Sequence, residues 1–574
     1  MSAALEDFIP AVRWLRAYRR ADFAGDLTAG VITAILLIPQ AMAYSVLAGL
    51  PPEIGLYASI APPMLYALFG SSRALAVGPV AVASLMVAVA VGAVAVPGTA
   101  EYYAAALILA LMIGLILLVL GIARLGFVAN FLSHPVMAGF TSAAAIVIAI
   151  SQLKHLLGLS PPRTESVDGV LLYIASHLGD ANLAAIAIGA GSIFLLLMSR
   201  RYLEAGLAWL PLPEAMVKAG AKAGPLFVVA AMTALAATLN LEQAVGLNVV
   251  GAIPAGLPPL TVPDFAWERW LELAPSAALI ALVSFVESVA IAQFLASKRR
   301  QKIDVNRELT GLGIANIGAA FTGGSPVCGG FSRSAVNFSA GANTQLAAIV
   351  TASLIALSVV FFTPLFYHLP LAVLGAIVIV AVLGLVDVTS FRRSWAYSKS
   401  DAAAWAATFA VVIARGIEAG IAIGVVVSIA LFLWRSSRPH IAIVGRLGDT
   451  EHFRNVERHR VRTCSHVLAI RVDESLFFAN ARYIETYLLT AVADRPKVTD
   501  VVLICSAVNA IDSSALESLE NIITDLNNAA VTFHLAEVKG PVMDKLEKVG
   551  FLKRLGSGKV FLSTHDAFID LNCA

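Results

Sequence analysis

The chain has 574 residues, of which 59% are hydrophobic and only 14% are charged, and its formal net charge is +2. Soluble domains carry about 25% charged residues, so this composition excludes an ordinary soluble protein and indicates a polytopic membrane protein. The near-neutral charge also argues against a nucleic-acid partner.

The start of the chain is basic. Four arginines precede the first apolar run, which begins near Leu27, and no segment there has the form of a secretory signal peptide. We therefore expect residues 1–26 to form a cytosolic segment at the membrane interface.

Residues 27–436 contain about 14 apolar spans, several of them shorter than the roughly 20 residues that a straight membrane-crossing helix needs. When the spans are threaded alternately, loops on one side collect most Lys and Arg residues, including Lys218, whereas Arg163 falls on the opposite side. This bias predicts an even number of spans with both termini in the cytosol. The spans begin near Leu27, Glu53, Gly78, Tyr103, Val128, Asn182, Pro225, Pro275, Leu309, Phe331, Gln345, Pro370, Ala402 and Gly416.

The first span carries a proline and two polar residues. Pro39 is expected to break the helix in mid-membrane, because proline removes a backbone hydrogen bond. Gln40 and Tyr44 are four residues apart and share one face just after the expected break. They would donate hydrogen bonds to an oxyanion or, equally well, join neighbouring helices.

The third and tenth spans are interrupted at their heads. The third begins after Gly78-Pro79 and the tenth after Gly329-Gly330, at corresponding places in the two halves of the membrane region. Spans broken in this way point to the midplane site of a transporter. A helix that begins inside the membrane presents unpaired N–H groups and about half a positive charge, so two such ends predict an anion cradle.

Arg333 and Glu287 are ionisable residues inside apolar spans. A charged side chain near the bilayer centre costs at least about 2.5–3.5 kcal/mol, so Arg333 is expected to bind an anion or to form a structural ion pair. Glu287, in the eighth span, is its natural partner. Glu287 either couples anion transport to protons or simply locks two helices together.

The C-terminal region has a different composition. Residues 439–574 hold 32 charged residues in 136, against 46 in the 438 residues before them. The segments 465–473, 497–506 and 531–538 are apolar runs that predict strands, and residues 514–529 have the spacing of an amphipathic helix. This alternation predicts a small α/β domain over residues 437–574.

Four segments together resemble the sulfate permease (SulP) family of anion transporters: IPQAMAYSVLAGLPPEIGLYAS, GSSRALAVGPVAVASL, FSRSAVNFSAGANTQLA and the C-terminal domain. The resemblance covers nearly the whole chain and leans towards plant-type and bacterial sulfate transporters. It implies 14 spans arranged as a seven-plus-seven inverted repeat with core and gate subdomains, and a homodimer. It places the anion at Gln40, Tyr44, Val80, Ala81, Ser332 and Arg333, and it gives Glu287 a coupling role.

The C-terminal domain resembles a STAS domain, the fold of bacterial anti-anti-sigma factors, through IDSSALESL. In the signalling relatives a serine of the Asp-Ser-Ser motif is phosphorylated at a helix N-terminus, so Ser513 and Ser514 are candidate regulatory sites. Ala515 stands where those relatives have glycine. Alternatively, Ser514 and Glu517 form a capping box, and the domain offers a surface for dimer contacts or cytosolic partners.

Histidine and cysteine add no further site on the sequence alone. His452, His459 and His466 recur every seven residues, but without an accompanying ligand pattern we expect a solvated surface. The four cysteines are scattered, so no disulfide is expected, nor any metal site or other cofactor. There is no nucleophile–base pair or phosphate loop, so we do not expect an enzyme.

These observations predict a secondary active anion transporter of the cell membrane that works by alternating access, with proton-coupled sulfate uptake as the leading hypothesis. Bicarbonate or dicarboxylate transport, sodium-coupled or by exchange, stays open, and so does a STAS-based anion sensor or scaffold. The sequence does not decide the anion, the coupling ion or the stoichiometry.

Overall fold

The computed structural model describes residues 10–131, 133–159, 167–209, 211, 217 and 220–573. Residues 1–9 of the predicted N-terminal segment, together with Arg163 and Lys218, lie outside the described residues. The chain divides into two compact units, Met1–Ser428 and Ile429–Ala574.

The first unit is helical. Among the described residues, seven segments are long and apolar enough to cross a membrane, one of them the helices Leu371–Leu383 and Val388–Tyr397 taken together, and four further apolar helices are shorter. Its helices are α1 Ala11–Arg16, α2 Arg20–Leu47, α3 Pro52–Tyr57, α4 Ala61–Phe69, α5 Ala81–Val94, α6 Ala100–Ile122, α7 His134–Leu157, α8 Val167–Ser176, α9 Leu183–Leu207, α10 Gly224–Thr238, α11 Leu241–Val245, α12 Trp267–Lys298, α13 Val305–Phe321, α14 Phe331–Ser339, α15 Leu346–Phe361, α16 Leu371–Leu383, α17 Val388–Tyr397, α18 Lys399–Arg415 and α19 Ile417–Ser437.

Each predicted span corresponds to a helix or to a pair of short helices, and the second span is the pair α3 and α4. One local expectation is wrong, because α2 runs without interruption through Pro39. Proline removes one hydrogen bond and, in a membrane helix, neighbouring helices and local adjustment compensate for that loss. Gln40 and Tyr44 therefore lie on the second half of one continuous helix.

A two-stranded ladder joins the two halves of the membrane unit. Strand β1, Val77–Gly78, pairs antiparallel with β2, Cys328–Gly329, with Val77 opposite Gly329 and Gly78 opposite Cys328. The antiparallel pairing agrees with halves of opposite orientation. The seven-plus-seven repeat itself stays a prediction.

The second unit is an α/β domain built on a six-stranded sheet of order β4-β3-β5-β6-β7-β8. Strands β5 to β8 are parallel, whereas β3 is antiparallel to both β4 and β5. The predicted strands are β5, β6 and β7, and the amphipathic helix is α21. The elements are β3 Ile441–Arg446, β4 Phe453–Asn455, β5 Val467–Val472, α20 Ala481–Ala493, β6 Asp500–Ile504, α21 Ser513–Asn528, β7 Thr532–Ala536, α22 Gly540–Lys548, α23 Phe551–Arg554, β8 Val560–Phe561 and α24 Thr564–Asp570.

The two faces of this sheet carry separate apolar clusters. One cluster contains Leu468, Leu503 and the buried side of α21, and the other contains Val502 and Phe568 of α24. Alternate residues of each strand thus face opposite sides, as the pleat requires.

The N-terminus of α21 is capped differently from the prediction. Asp512, not Ser514, is the N-cap residue, and its Oδ1 accepts a hydrogen bond from the Ala515 N–H at 2.8 Å. The capping box of Ser514 and Glu517 is therefore wrong, because the helix begins two residues earlier than that pattern requires. Ser513 and Ser514 are exposed in the first helical turn, and their phosphorylation stays a prediction.

The expectation that no cysteines pair is also wrong. Cys464 and Cys573 form a disulfide with a Cα–Cα distance of 5.7 Å, although 109 residues separate them. The fold brings the end of α24 beside the segment before β5, a proximity that sequence spacing does not reveal. His466 is half-buried here, so the solvated surface expected for it is wrong, whereas His452 and His459 are exposed.

His466 completes a cluster with the two sulfurs. Its Nδ1 lies 3.3 Å from Cys464 Sγ, and its Nε2 lies 2.9 Å from the Leu571 carbonyl oxygen. The three side chains have the composition and spacing to hold a metal ion when the sulfurs are not bonded to each other.

Candidate functional site

The β1–β2 ladder fixes where the two half-helices begin. Helix α5 starts after Val80 and helix α14 starts after Gly330, and both preceding residues are extended. Because the paired strands run in opposite directions, the two helices leave from opposite ends of the ladder. Their N-terminal ends therefore converge on it.

Both helix ends keep their backbone donors available. Neither α5 nor α14 has a side-chain N-cap. The first amide N–H groups of a helix have no partner inside it, and they carry the positive end of its dipole. Two such ends next to each other favour a bound anion.

Arg333 places a cation at this point. Its side chain is 2% exposed, and Nη1 and Nη2 are buried without a hydrogen-bond partner among the described residues. An unpaired buried charge is costly, so an anionic partner beside Nη1 and Nη2 would be energetically favourable.

Two glycines make room for this guanidinium. A Cβ atom built on Gly78 would stand 3.0 Å from Arg333 Nη1, and one built on Gly330 would stand 2.9 Å from Nη2. The glycines that mark the broken spans therefore let backbone from both halves approach the same cation.

Tyr44, Glu287 and Cys328 are close enough to Arg333 to interact with it electrostatically. Within the described part of the chain, however, no hydrogen bond or ion pair joins the Glu287 carboxylate to the Arg333 Nη atoms. The reading of this pair as a direct structural ion pair is therefore wrong.

The other predicted residues surround the same place. Helix α2 packs against both α5 and α14, and its Gln40 and Tyr44 are 5% and 7% exposed. Val80 and Ala81 are buried at the head of α5, whereas Ser332 is exposed in the first turn of α14. The structure thus brings the half-helices and span 1 together, while the binding role of each residue stays a prediction.

Three polar side chains that sequence reasoning missed hold the ladder in place. Ser288 Oγ accepts a hydrogen bond from the Gly329 N–H at 2.8 Å, and Ser334 Oγ accepts one from the Ala76 N–H at 2.9 Å. Asn316 both donates to the Val327 carbonyl and accepts from its N–H, each at 2.9 Å. Only Ser288 has a signal in the sequence, as a small polar residue in a long apolar stretch, because the helices of Ser334 and Asn316 hold several other polar residues.

A cavity of about 780 Å³ reaches this region. Glu287 and Phe331, the first residue of α14, both line it, together with Arg124, His134 and Asp387. Arg124 follows α6 and Asp387 precedes α17. The cavity therefore extends from Glu287 to loops at the ends of two helices.

Comparison with known proteins agrees with this architecture. The family model described as "Sulfate permease family" matches residues 23–408, and that of the STAS domain matches residues 458–567. A probable sulfate transporter 4.2 from Arabidopsis thaliana is 36% identical over 575 residues, which cover 98% of this chain and 83% of the relative. A probable sulfate transporter from Mycobacterium tuberculosis is 34% identical over 556 residues, which cover 96% of each chain.

Solved structures show the same fold. The structure of SLC26A9 matches with a TM-score of 0.91 and 23% identity, covering 100% of this chain and 93% of the other. The transmembrane domain of the cyanobacterial bicarbonate transporter BicA matches with a TM-score of 0.60 and 22% identity, covering 72% of this chain and 98% of the other. At these identities the likeness concerns the fold alone.

Proposed function

The chain belongs to the sulfate permease family of membrane anion transporters and ends in a STAS domain, and on this premise we propose that it takes up sulfate together with protons. In this proposal sulfate binds between the N-termini of α5 and α14. The membrane domain works by alternating access, and both termini are cytosolic.

The buried guanidinium of Arg333 is the observation that carries the proposal. Two helix ends supply about half a positive charge each, and Arg333 supplies one more, so the cradle offers roughly two positive charges. A tetrahedral dianion matches that charge. Its oxygens also have enough lone pairs to accept hydrogen bonds from both helix ends and from Ser332.

Glu287 is the proposed proton carrier. An ionised carboxylate near the cradle would cancel half of the attraction for a dianion, so binding of sulfate favours the protonated form of Glu287. The carboxyl lines the 780 Å³ cavity, through which a proton and the anion would both leave. Coupling then follows from one electrostatic competition, without a second ion site.

Assembly and regulation are proposed on the family relationship. The protein would be a homodimer, with its STAS domain available to cytosolic partners and Ser513 and Ser514 open to a kinase. None of these roles is needed for the binding site within one membrane domain.

Uptake of radiolabelled sulfate into liposomes that hold the purified protein tests the proposal, with and without an inward proton gradient. Wild-type protein should accumulate sulfate against its gradient, and Arg333→Ala should lose saturable uptake. Arg415→Ala is the matched control, since it removes an exposed arginine at the end of α18.

Wild-type kinetics in Arg333→Ala would overturn the site. Failure to take up sulfate, combined with counterflow of bicarbonate or a dicarboxylate, would overturn the substrate while keeping anion transport. Deletion of residues 439–574 that leaves flux intact would exclude a protein in which the membrane part only senses anion.

A further inference from the structure

A basic pocket lies at one edge of the second unit. Its volume is about 340 Å³, which is sufficient for a small ligand headgroup. Arg454, Arg458, Arg471, His440 and His459 line it, with Asp473 as its carboxylate. With neutral histidines, three arginines and one aspartate give a formal charge of +2.

Asp473 neutralises only one of the three arginines. Arg471 donates to both of its carboxylate oxygens, at 2.6 and 3.1 Å, and His440 Nδ1 lies 2.7 Å from Oδ2. Partial burial opposes ionisation of Asp473, but these hydrogen bonds outweigh it and lower its pKa. The carboxylate is therefore already occupied by groups on β5 and before β3.

Arg454 and Arg458 remain as the ligand-binding cations. Neither forms an ion pair with a carboxylate in the described part of the chain, and both are exposed towards the pocket. Asn455 fixes their relative position, because its carbonyl accepts hydrogen bonds from the N–H groups of Arg458 and His459, each at 3.1 Å. Two guanidinium groups on a closed turn suit the planar, two-point recognition of a phosphate.

The pocket lies close to the end of the last membrane helix. His440 follows Ser437, the last residue of α19, by three residues, and three residues span at most about 11 Å. The final turns of α19 expose Phe432 and Trp434, and the Arg438 guanidinium lies 4.2 Å from the Trp434 ring. Exposed aromatic residues beside basic ones are typical of the boundary between the bilayer and water.

We propose that this pocket binds the phosphate group of an anionic phospholipid headgroup at the membrane surface. The phosphate contacts Arg454 and Arg458. Arg471 lines the pocket but stays bound to Asp473. Basic residues near a membrane surface attract anionic headgroups, and the short distance along the chain from Ser437 to His440 would keep the pocket near that surface.

Native mass spectrometry of the full-length protein tests this. The probes are phosphatidylglycerol and phosphatidylcholine, with glycerol phosphate as a soluble source of the same group. The double variant Arg454→Gln/Arg458→Gln should weaken phosphatidylglycerol binding by about tenfold, because two charge-assisted contacts are lost. The control Arg460→Gln/Arg482→Gln removes the same charge from exposed positions outside the pocket and should change binding by less than about twofold.

Equal losses in the two double variants would overturn the proposal, because binding would then follow net charge alone. If the affinity for glycerol phosphate equals or exceeds the affinity for phosphatidylglycerol, the proposal that the ligand is a lipid would be overturned. If the double variant melts below wild type, the single variant Arg458→Gln replaces it, and an unchanged affinity there would also overturn the site.

Discussion

Gly330 lies so close to Arg333 that a Cβ atom on the glycine would stand 2.9 Å from Nη2 and 3.0 Å from Nε. The backbone of Gly330 is ordinary and extended, with φ of −100°. Glycine is therefore needed here to leave space for the guanidinium, and not to adopt a special backbone conformation. The residue that starts the half-helix also sets the position of the cation.

Gly330→Ala should displace the Arg333 guanidinium and raise the KM for sulfate by about tenfold or more, because small misplacements of a binding group are costly. Concentration-dependent uptake into liposomes measures this. Gly92→Ala in α5 is the matched control, since a Cβ there meets no heavy atom within 4 Å. Equal KM values in the two variants would show that the contact with Arg333 does not position the anion.

Glu287→Gln should retain downhill sulfate flux but lose its stimulation by an inward proton gradient, because glutamine keeps the neutral form at every pH. The measurement is the ratio of initial uptake rates with and without the gradient. Glu272→Gln, at an exposed position earlier on α12, should leave that ratio unchanged. A gradient response that survives in Glu287→Gln would assign coupling to another group.

Asp512→Ala should loosen the start of α21 by about 1 kcal/mol, the usual value of an N-cap. The loss extends to the preceding loop, because Asp512 Oδ2 also accepts the Phe478 N–H at 2.9 Å. Hydrogen exchange of the full-length protein, followed by mass spectrometry, should show about fivefold faster exchange in the first turn of α21. Ser514→Ala should have little effect there, and the opposite order would restore the serine as the cap.

Cys573→Ser should destabilise the second unit by about 2–4 kcal/mol, because it opens a covalent loop of more than 100 residues. The readout is hydrogen exchange of α24 in the full-length protein. Reduction of wild-type protein should produce the same change, and reduction of the variant should add nothing. Wild-type protein that is insensitive to reduction would argue that the link does not stabilise the domain.

The sequence was sufficient for the position of the spans and for the two broken helices, because hydrophobicity and the pairs Gly78-Pro79 and Gly329-Gly330 indicate these features locally. It was insufficient for pairings between distant residues. Cys464 and Cys573 meet only through the sheet, and Ser288 reaches Gly329 only because α12 packs beside the ladder.

Rules based on local sequence also failed at the start of α21 and in the middle of α2. Asp512 and Ser514 both suit an N-cap, and the end of the preceding loop selects Asp512. Proline usually breaks a helix, yet α2 stays continuous through Pro39 within its packed surroundings. In each case tertiary context decided between two locally acceptable conformations.

The ladder between β1 and β2 limits how the membrane domain can move. The Gly330 N–H donates to the Ala76 carbonyl at 3.1 Å, and Ser334 binds the other side of Ala76. Each such buried hydrogen bond would cost about 1–3 kcal/mol to leave unmade. The two half-helices are therefore tied to each other, and the alternating access proposed above would have to come from movement of the helices around them.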